Sequence, residues 1–356
     1  MDLATLLKNL AATGDLALIA VNALAQFGVG ARLYLGATLL PEKLVPKNIF
    51  RESSIRFRTI VANDGTRYSP VQKKDGKLTS SVLVELGESD IGSDITSEDY
   101  DALLDMLATA SGLDPASDFV RAWADATINL ALVEHNERQR WGAICAGQII
   151  RKGDNGYLET VNYPNFTGQR ANATVQWSNP ANDPFEADIL PRVQLLRDKG
   201  FVVNRIVTSN NVRTIVQRNP NVRNAVLGRS DGAGMVSLAK LAEYMASNDL
   251  PPIETYDLTY QLQNDVTRWF YPRNAMTFIC TTGRDQTVDA GEEKINLSDT
   301  LGYVGVGRAA GQSAPGRRIL LQAKEDKPPR VDGQGWQTSA PVLQDPDATS
   351  TVGSIS

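Results

Sequence analysis

The chain of 356 residues holds a single histidine, His135, so any Ser-His-Asp or Cys-His device would have to centre on it. His135 lies beside Glu134 inside a long run of helical periodicity, and no Gly-x-Ser-x-Gly nucleophile elbow exists to meet it. A histidine on a helical face is more often structural or solvated than catalytic. Cys145 and Cys280 stand far apart without a partner motif, which excludes a disulfide framework and a zinc-ligand spacing and fits a reducing cytoplasm. The carboxylates of "ESDIGSDITSEDYD" lack the alternating ladder and terminal Glu of an EF-hand loop, and read as a solvated acidic face or a docking site. "GYVGVGRAAGQSAPG", residues 302–316, has neither the Gly-Lys-Ser/Thr ending of a P-loop nor a dinucleotide fingerprint, and reads as a flexible loop. "RWFYPRNAM" could stack bases between Arg268 and Arg273, but reads equally as a strand-turn-strand whose aromatics pack. No catalytic, metal-binding or cofactor-binding residue is assigned, and no cofactor is called for.

Composition agrees with a role other than chemistry. The chain is 42% hydrophobic and 22% charged, with 36 Lys and Arg against 41 Asp and Glu, which suits a soluble globular protein of about two domains. A net charge of -5 does not suit a protein whose main work is gripping nucleic acid. The uncharged run 16–31, "LALIAVNALAQFGVGA", falls short of the ~20 apolar residues that cross a bilayer, so no membrane is expected as a partner. It also lacks the basic start of a secretory signal, because Asp2 and Asp15 offset Lys8. It reads as a helical or partly extended segment that packs on something else.

The elements are as follows. "TRYSPVQKKDGKLTSSVLVEL", residues 66–86, reads as two extended arms around Asp75-Gly76, with too little apolar surface for a core of its own. Residues 51–77 carry seven basic and three acidic groups, whereas 78–105 carry eight acids and no Lys or Arg. The arms could attract each other in solvent, or the basic face (Arg67, Lys73, Lys74, Lys77) could dock on the acidic stretch (Glu85, Glu88, Asp90, Asp94, Glu98, Asp99) of a neighbouring copy. Thr96 caps a helix with Tyr100, Leu103, Leu104 and Leu107 on one face. Asp114-Pro115 opens a second helix that runs to about Ile150, on the order of 50 Å long at 1.5 Å per residue. Phe119, Trp123, Leu130, Trp141 and Ile144 line one stripe of it, and Glu134, Glu137, Arg138 and Arg140 fall mostly elsewhere. Asp183-Pro184 opens another helix, which continues or breaks at Pro191. From 186 to 285 strands and helices alternate: strand "FVVNRIVTS", helix "NNVRTIVQRNP" ended by Pro220, helix "MVSLAKLAEYMAS", then strands "IETYDLTYQ" and "AMTFICTTG". The tail "APVLQDPDATSTVGSIS" is extended again.

In this order the pieces resemble the major capsid proteins of tailed bacteriophages of the phage lambda type, from about residue 45 to 350. "NLALVEHNERQRWGAICAGQI" is similar to that family's spine helix, and "VQWSNPANDPFEADI" to the passage into its second domain. "VTSNNVRTIVQRNPNVRNAV", "YPRNAMTFI" and "APVLQDPD" are similar to later segments, with Arg273 where the family often has an acid. The resemblance implies an α+β chain with the Hong Kong phage-type capsid fold. It would have an N-terminal arm (1–48), an extended loop (49–95), a peripheral domain with the spine helix (96–185), an axial α/β domain (186–300), and a return strand completing the peripheral domain (301–356). It further implies a virion protein, assembled in the host cytoplasm, that joins copies of itself in hexamers and pentamers. Scaffold, portal and decoration proteins would be partners, and the shell would enclose double-stranded DNA without reading its sequence. Two other readings are a cellular nanocompartment shell of the same fold and a stand-alone α/β ligand-binding protein.

Overall fold

The computed structural model describes residues 34–57, 77–96, 99, 114–153, 157–163, 169–228, 234–262, 266–281, 287–289, 300–324 and 330–355. The apolar run 16–31, residues 58–76 with the Asp75-Gly76 turn signal, and the helix expected after Thr96 lie outside the described residues, apart from Asp99.

In chain order, a short helix α1 (Leu35–Leu39) leads into strand β1 (Glu42–Leu44). Strands β2 (Ile49–Phe57) and β3 (Lys77–Glu85) pair antiparallel from Ile49↔Glu85 to Phe57↔Lys77. Residues 66–74, expected as the other arm, lie outside the described residues; the described partner of 77–85 is 49–57. The reason is burial. Phe50 opposes Val84, and Val84 packs with Val45, Leu86, Tyr303, Ala340 and Val342 in a cluster that Phe50 flanks. The chain then turns at Leu86 into β4 (Gly87–Ile95).

Helix α2 is continuous from Asp114 to Ala146, with wider π turns at Asp125–Asn129 and Gly142–Ala146. It ends at Gly147, whose φ of 60° lies in the left-handed region that glycine tolerates and that commonly closes a helix. The helix therefore stops before Ile150, and β5 (Gln148–Lys152) pairs with β6 (Leu158–Asn162) as a two-stranded ribbon. After β7 (Arg170–Asn172), α3 runs from Phe185 to Asp198 and accommodates Pro191 in its first turns after a π segment.

Strand β8 (Arg205–Thr208) feeds α4 (Asn210–Arg218), capped by the Ser209 hydroxyl. Asn219 ends α4 and its side chain accepts from the N–H groups of Asn221 and Val222, so Pro220 opens a further helix, α5 (Pro220–Leu227), besides closing the first. Then follow α6 (Leu238–Ser247), β9 (Ile253–Thr255), the ribbon β10 (Thr259–Gln261) and β11 (Thr267–Trp269), β12 (Met276–Ile279) and β13 (Thr287–Asp289). The expected strand "IETYDLTYQ" is thus two short strands. Last come β14 (Gly302–Val306), β15 (Arg318–Lys324), β16 (Arg330–Leu343) and β17 (Thr349–Gly353).

Two five-stranded sheets organise the chain. In one the order is β1-β14-β16-β15, with β4 on the other edge of β16. In the other the order is β7-β17-β12-β8-β9. Two expectations change. The glycine-rich stretch 302–316 begins with β14, a fully buried strand whose Tyr303, Val304 and Val306 are core and whose Gly302, at a φ of 150°, leaves room for the Val342 carbonyl that a Cβ would strike. The final strand β17 lies in the middle of the second sheet, beside β12, rather than with β14 and β16. The hairpin also has support within the chain, because β13 pairs with β2 at Arg56↔Thr287 through Ser54↔Asp289.

Helix α2 lies on β16 because two glycines make room. A Cβ on Gly333 would stand 2.5 Å from Ile128 Cδ1, and one on Gly335 would stand 2.3 Å from Ile128 Cγ2. The larger core gathers Trp141, Ile144, Trp177, Phe185, Phe201, Tyr271, Met276 and Phe278 between the end of α2 and the second sheet.

Candidate assembly surface

Three of the six acidic residues expected to dock, Glu88, Asp90 and Asp94, stand on one strand. Along β4 alternate residues are exposed, so Glu88, Asp90 and Asp94 share one outward face, while Ile95 is buried. Among the described residues β4 pairs only with β16, leaving its far edge open; charges along such an edge discourage unwanted strand addition. Asp94 stands opposite Asp332, which Lys324 and Arg330 neutralise; the Lys324 hydrogen bond, then that from Arg330, hold the Asp332 carboxyl below the usual carboxylate range. Glu85 ends β3 on the exposed face of the hairpin. Asp99 accepts from the Thr96 N–H and hydroxyl, both at 2.9 Å, and the backbone bond above all keeps its carboxyl low. Lys77 is the first residue of β3, opposite Phe57; Arg67, Lys73, Lys74 and Glu98 lie outside the described residues.

Beneath this surface lies a network that the sequence reading missed. Glu137 and Arg140, expected off the apolar stripe of α2, are both buried. The Glu137 carboxylate accepts from Gly36 N (2.9 Å), Trp141 Nε1 (2.8 Å), the Tyr256 hydroxyl (2.8 Å) and Arg140 (3.2 Å). Arg140 also donates to the Leu40 carbonyl and reaches Glu42 at 3.4 Å. Glu42 in turn accepts from Arg317 at 2.5 Å and Asn136 at 2.8 Å. Gln337 on β16 completes the circuit, accepting from Arg317 and donating to Asn136 and the Leu132 carbonyl. Two carboxylates and two guanidiniums thus balance one another, as buried charges must. They tie the segment 34–42 to α2 and β16. The spacing Glu137-Arg140-Trp141, with the last at i+4 on the stripe, was the one available signal.

His135, Cys145 and the aromatics of 269–271 have structural partners. His135 is half-buried against Gln139 Nε2 (2.7 Å) and Arg138; burial, then the Arg138 and Arg151 charges, lower its pKa to about 4, so it is neutral at pH 7. Cys145 is buried against Thr277, and burial pushes its thiol up to about 12. Phe270 and Tyr271 are core, while Trp269 is exposed with the Arg273 guanidinium 4.9 Å over its ring. Among the described residues no three His, Cys, Asp or Glu side chains are grouped to hold a metal, and no helix is long and apolar enough to cross a membrane.

No family model matches the chain, and no curated protein matches its sequence. Solved structures do match over nearly its full length. A protein named as a capsid protein of a prophage in E. coli CFT073 aligns with a TM-score of 0.55 at 12% identity, covering 94% of this chain and 97% of its own. The capsid of Myoviridae phage XM1 aligns at 0.50 and 9%, covering 90% of each chain. The fold is that of phage capsid proteins. A phage-related protein from Bordetella bronchiseptica RB50 shares it, with a TM-score of 0.53 at 12% identity over 95% of this chain and 97% of its own. The α+β Hong Kong phage-type capsid fold expected from the order of segments is therefore the one observed. At such low identities the likeness speaks for the architecture, and roles must be argued from the residues of this chain.

Proposed function

We propose that the chain is the structural subunit of an icosahedral phage head, assembling with itself in hexamers and pentamers into a shell around double-stranded DNA. The observation that carries this reading is the capsid fold over almost the whole length of both chains. The surface supports it. A hairpin of nine-residue strands has Val84 in the core on one face of its base and exposed Ile49, Arg51, Leu83 and Glu85 on the other, and a face of β4 is lined with acid. In this reading the basic residues expected on the hairpin (Arg67, Lys73, Lys74, Lys77) dock on the acidic residues of the next subunit (Glu85, Glu88, Asp90, Asp94, Glu98, Asp99), where opposite patches set register more than affinity. Heterologous contacts of this kind close into rings, and several weak contacts per subunit make a stable shell through multivalency. The subunit works without catalysis, as part of the virion, after assembly in the host cytoplasm with scaffold, portal and decoration proteins. Its mild negative charge avoids a salt-dependent grip on the packaged polyanion.

Light scattering with negative-stain electron microscopy of the purified protein, at low and high salt, tests the reading. Closed particles or ring-shaped capsomers are expected. A chain that stays monomeric at every concentration, and forms no particles when made with the other head proteins, would overturn it.

A further inference from the structure

The strand that completes the second sheet has an unexpected composition. β17 (Thr349–Gly353) runs parallel to β7 on one side and antiparallel to β12 on the other, so both of its edges are paired. A strand buried in this way ordinarily reads as a near-continuous apolar run. Here Thr349, Ser350 and Thr351 are all 6% exposed or less, and Val352 is the one apolar side chain of the strand, with Ala348 and Ile355 flanking it. The Ser350 hydroxyl donates to the Gln169 carbonyl at 2.9 Å, and the Thr351 and Thr277 hydroxyls stand 3.1 Å apart. The Thr349 hydroxyl is buried without a hydrogen-bond partner. Backbone bonds do the rest, such as Thr351 N to the Gln169 carbonyl at 2.9 Å and Ala173 N to the Gly353 carbonyl at 2.8 Å. β17 therefore brings far less apolar burial to the sheet than its neighbour β12, whose Met276, Phe278 and Ile279 are all core. Its upstream attachment is slight as well. β16 ends at Leu343 in the first sheet and β17 begins at Thr349 in the second, so residues 344–348 alone join them. Extended, that hinge reaches about 17 Å.

We propose that β17 is an exchanged strand: in the assembled protein it leaves its own sheet and fills the slot between β7 and β12 of a second copy of this chain. The slot of an identical copy remakes every contact named above, so exchange changes only the hinge. Copies held side by side supply the effective concentration that favours it, and a strand held by few apolar contacts is the one that leaves most readily. The length of the hinge restricts the partner to a copy whose β12 edge comes within its reach. Giving a strand to one neighbour and taking one from another is a heterologous exchange, which runs around a ring and interlocks its members without a covalent bond. The inference rests on the shell reading and adds to it a link that surface docking does not provide.

The test uses the full chain carrying Asn172→Cys and Ser354→Cys together. Both positions are exposed and the Ser354 hydroxyl donates to Asn172 Oδ1 at 3.1 Å, while the native Cys145 and Cys280 are buried. In the dilute subunit, oxidation should close the pair within one chain and leave a monomer on a denaturing, non-reducing gel. In particles, the same oxidation should link successive copies and give a ladder of dimers and higher multimers. Particles that yield only monomer would overturn the exchange and leave the shell reading standing. A wild-type chain that forms no particles when made with the other head proteins would overturn both. A pair that closes in neither state would overturn the exchange together with the register it starts from. If the double variant does not assemble, the two single variants mixed in equal amounts serve. The mixed disulfide dimer is then expected; its absence from the particles, or coupling in either variant alone, would count against the proposal.

Discussion

Replacing Glu137 tests the buried network most directly. In Glu137→Ala the carboxylate that accepts from Gly36, Trp141, Tyr256 and Arg140 disappears, leaving one carboxylate, the partly buried Glu42, to face two buried guanidiniums, Arg140 and Arg317. Breaking a buried charge pair by removing one partner costs about 3–5 kcal/mol, most of it the uncompensated charge left behind. Glu137→Gln keeps an acceptor oxygen and nearly the same shape but presents an amide to four donors, so a smaller loss of about 1–3 kcal/mol is expected. Urea unfolding of the soluble subunit, followed by tryptophan fluorescence, reads both, because Trp141 and Trp177 are fully buried and shift on exposure. The same substitution removes the acceptor of Gly36 N, so limited proteolysis should cut first between 34 and 45 in the alanine variant. A loss below about 1 kcal/mol, the net worth of an ordinary hydrogen bond, with an unchanged cleavage pattern, would refute the claim that this carboxylate holds the arm.

Other expectations follow from the same geometry. His135 stays neutral in the fold down to about pH 4, whereas in the unfolded chain it protonates near 6.5. Its contribution is therefore complete above pH 6.5 and is lost as the pH falls toward 4, by at most about 3 kcal/mol; denaturation midpoints against pH check this, and His135→Gln should flatten the slope. Gly335→Ala drives a methyl into Ile128 and should cost about 1–3 kcal/mol by overpacking, read by thermal unfolding. Reversing Lys73, Lys74 and Lys77 to Glu should lower particle yield while circular dichroism stays that of the folded subunit; unchanged particles would remove the electrostatic docking of the hairpin.

The parts legible in the sequence were those where local and tertiary signals agree. Asp183-Pro184 stands where a helix opens, the helix at 210–218 is capped as its sequence suggests, and alternating strands and helices after residue 186 give the second sheet; Gly147 as a helix end and Asn219 as a helix cap went unread. Pairing was illegible where partners are remote. Nothing local in "KLTSSVLVE" points to 49–57 as its neighbour, and it is the packing of Phe50 and Val84 at one cluster that supports the pairing. Residues 302–306 misled because glycines that admit close packing look the same in sequence as glycines that loosen a loop. Glu137 and Arg140 misled because charge predicts solvent unless the compensating charges are seen, and Glu42 and Arg317 lie about a hundred residues or more away. The acidic face of β4 was legible as composition, but its alignment on one side needed the strand.

The placement of β17 bears on when a subunit becomes competent. Of the five strands in its sheet it is the last to be synthesised, yet it fills the gap between β7 and β12. While residues 349–353 are still inside the ribosome, β12 has a bare edge, β7 has no neighbour, and Ala348, Val352 and Ile355 are missing from the core. A nascent chain, or one cut short by premature termination, thus cannot finish this layer. The two halves of this layer are thus joined by the segment that is made after both of them, and neither β7 nor β12 can reach its final neighbour before residues 349–353 are in place.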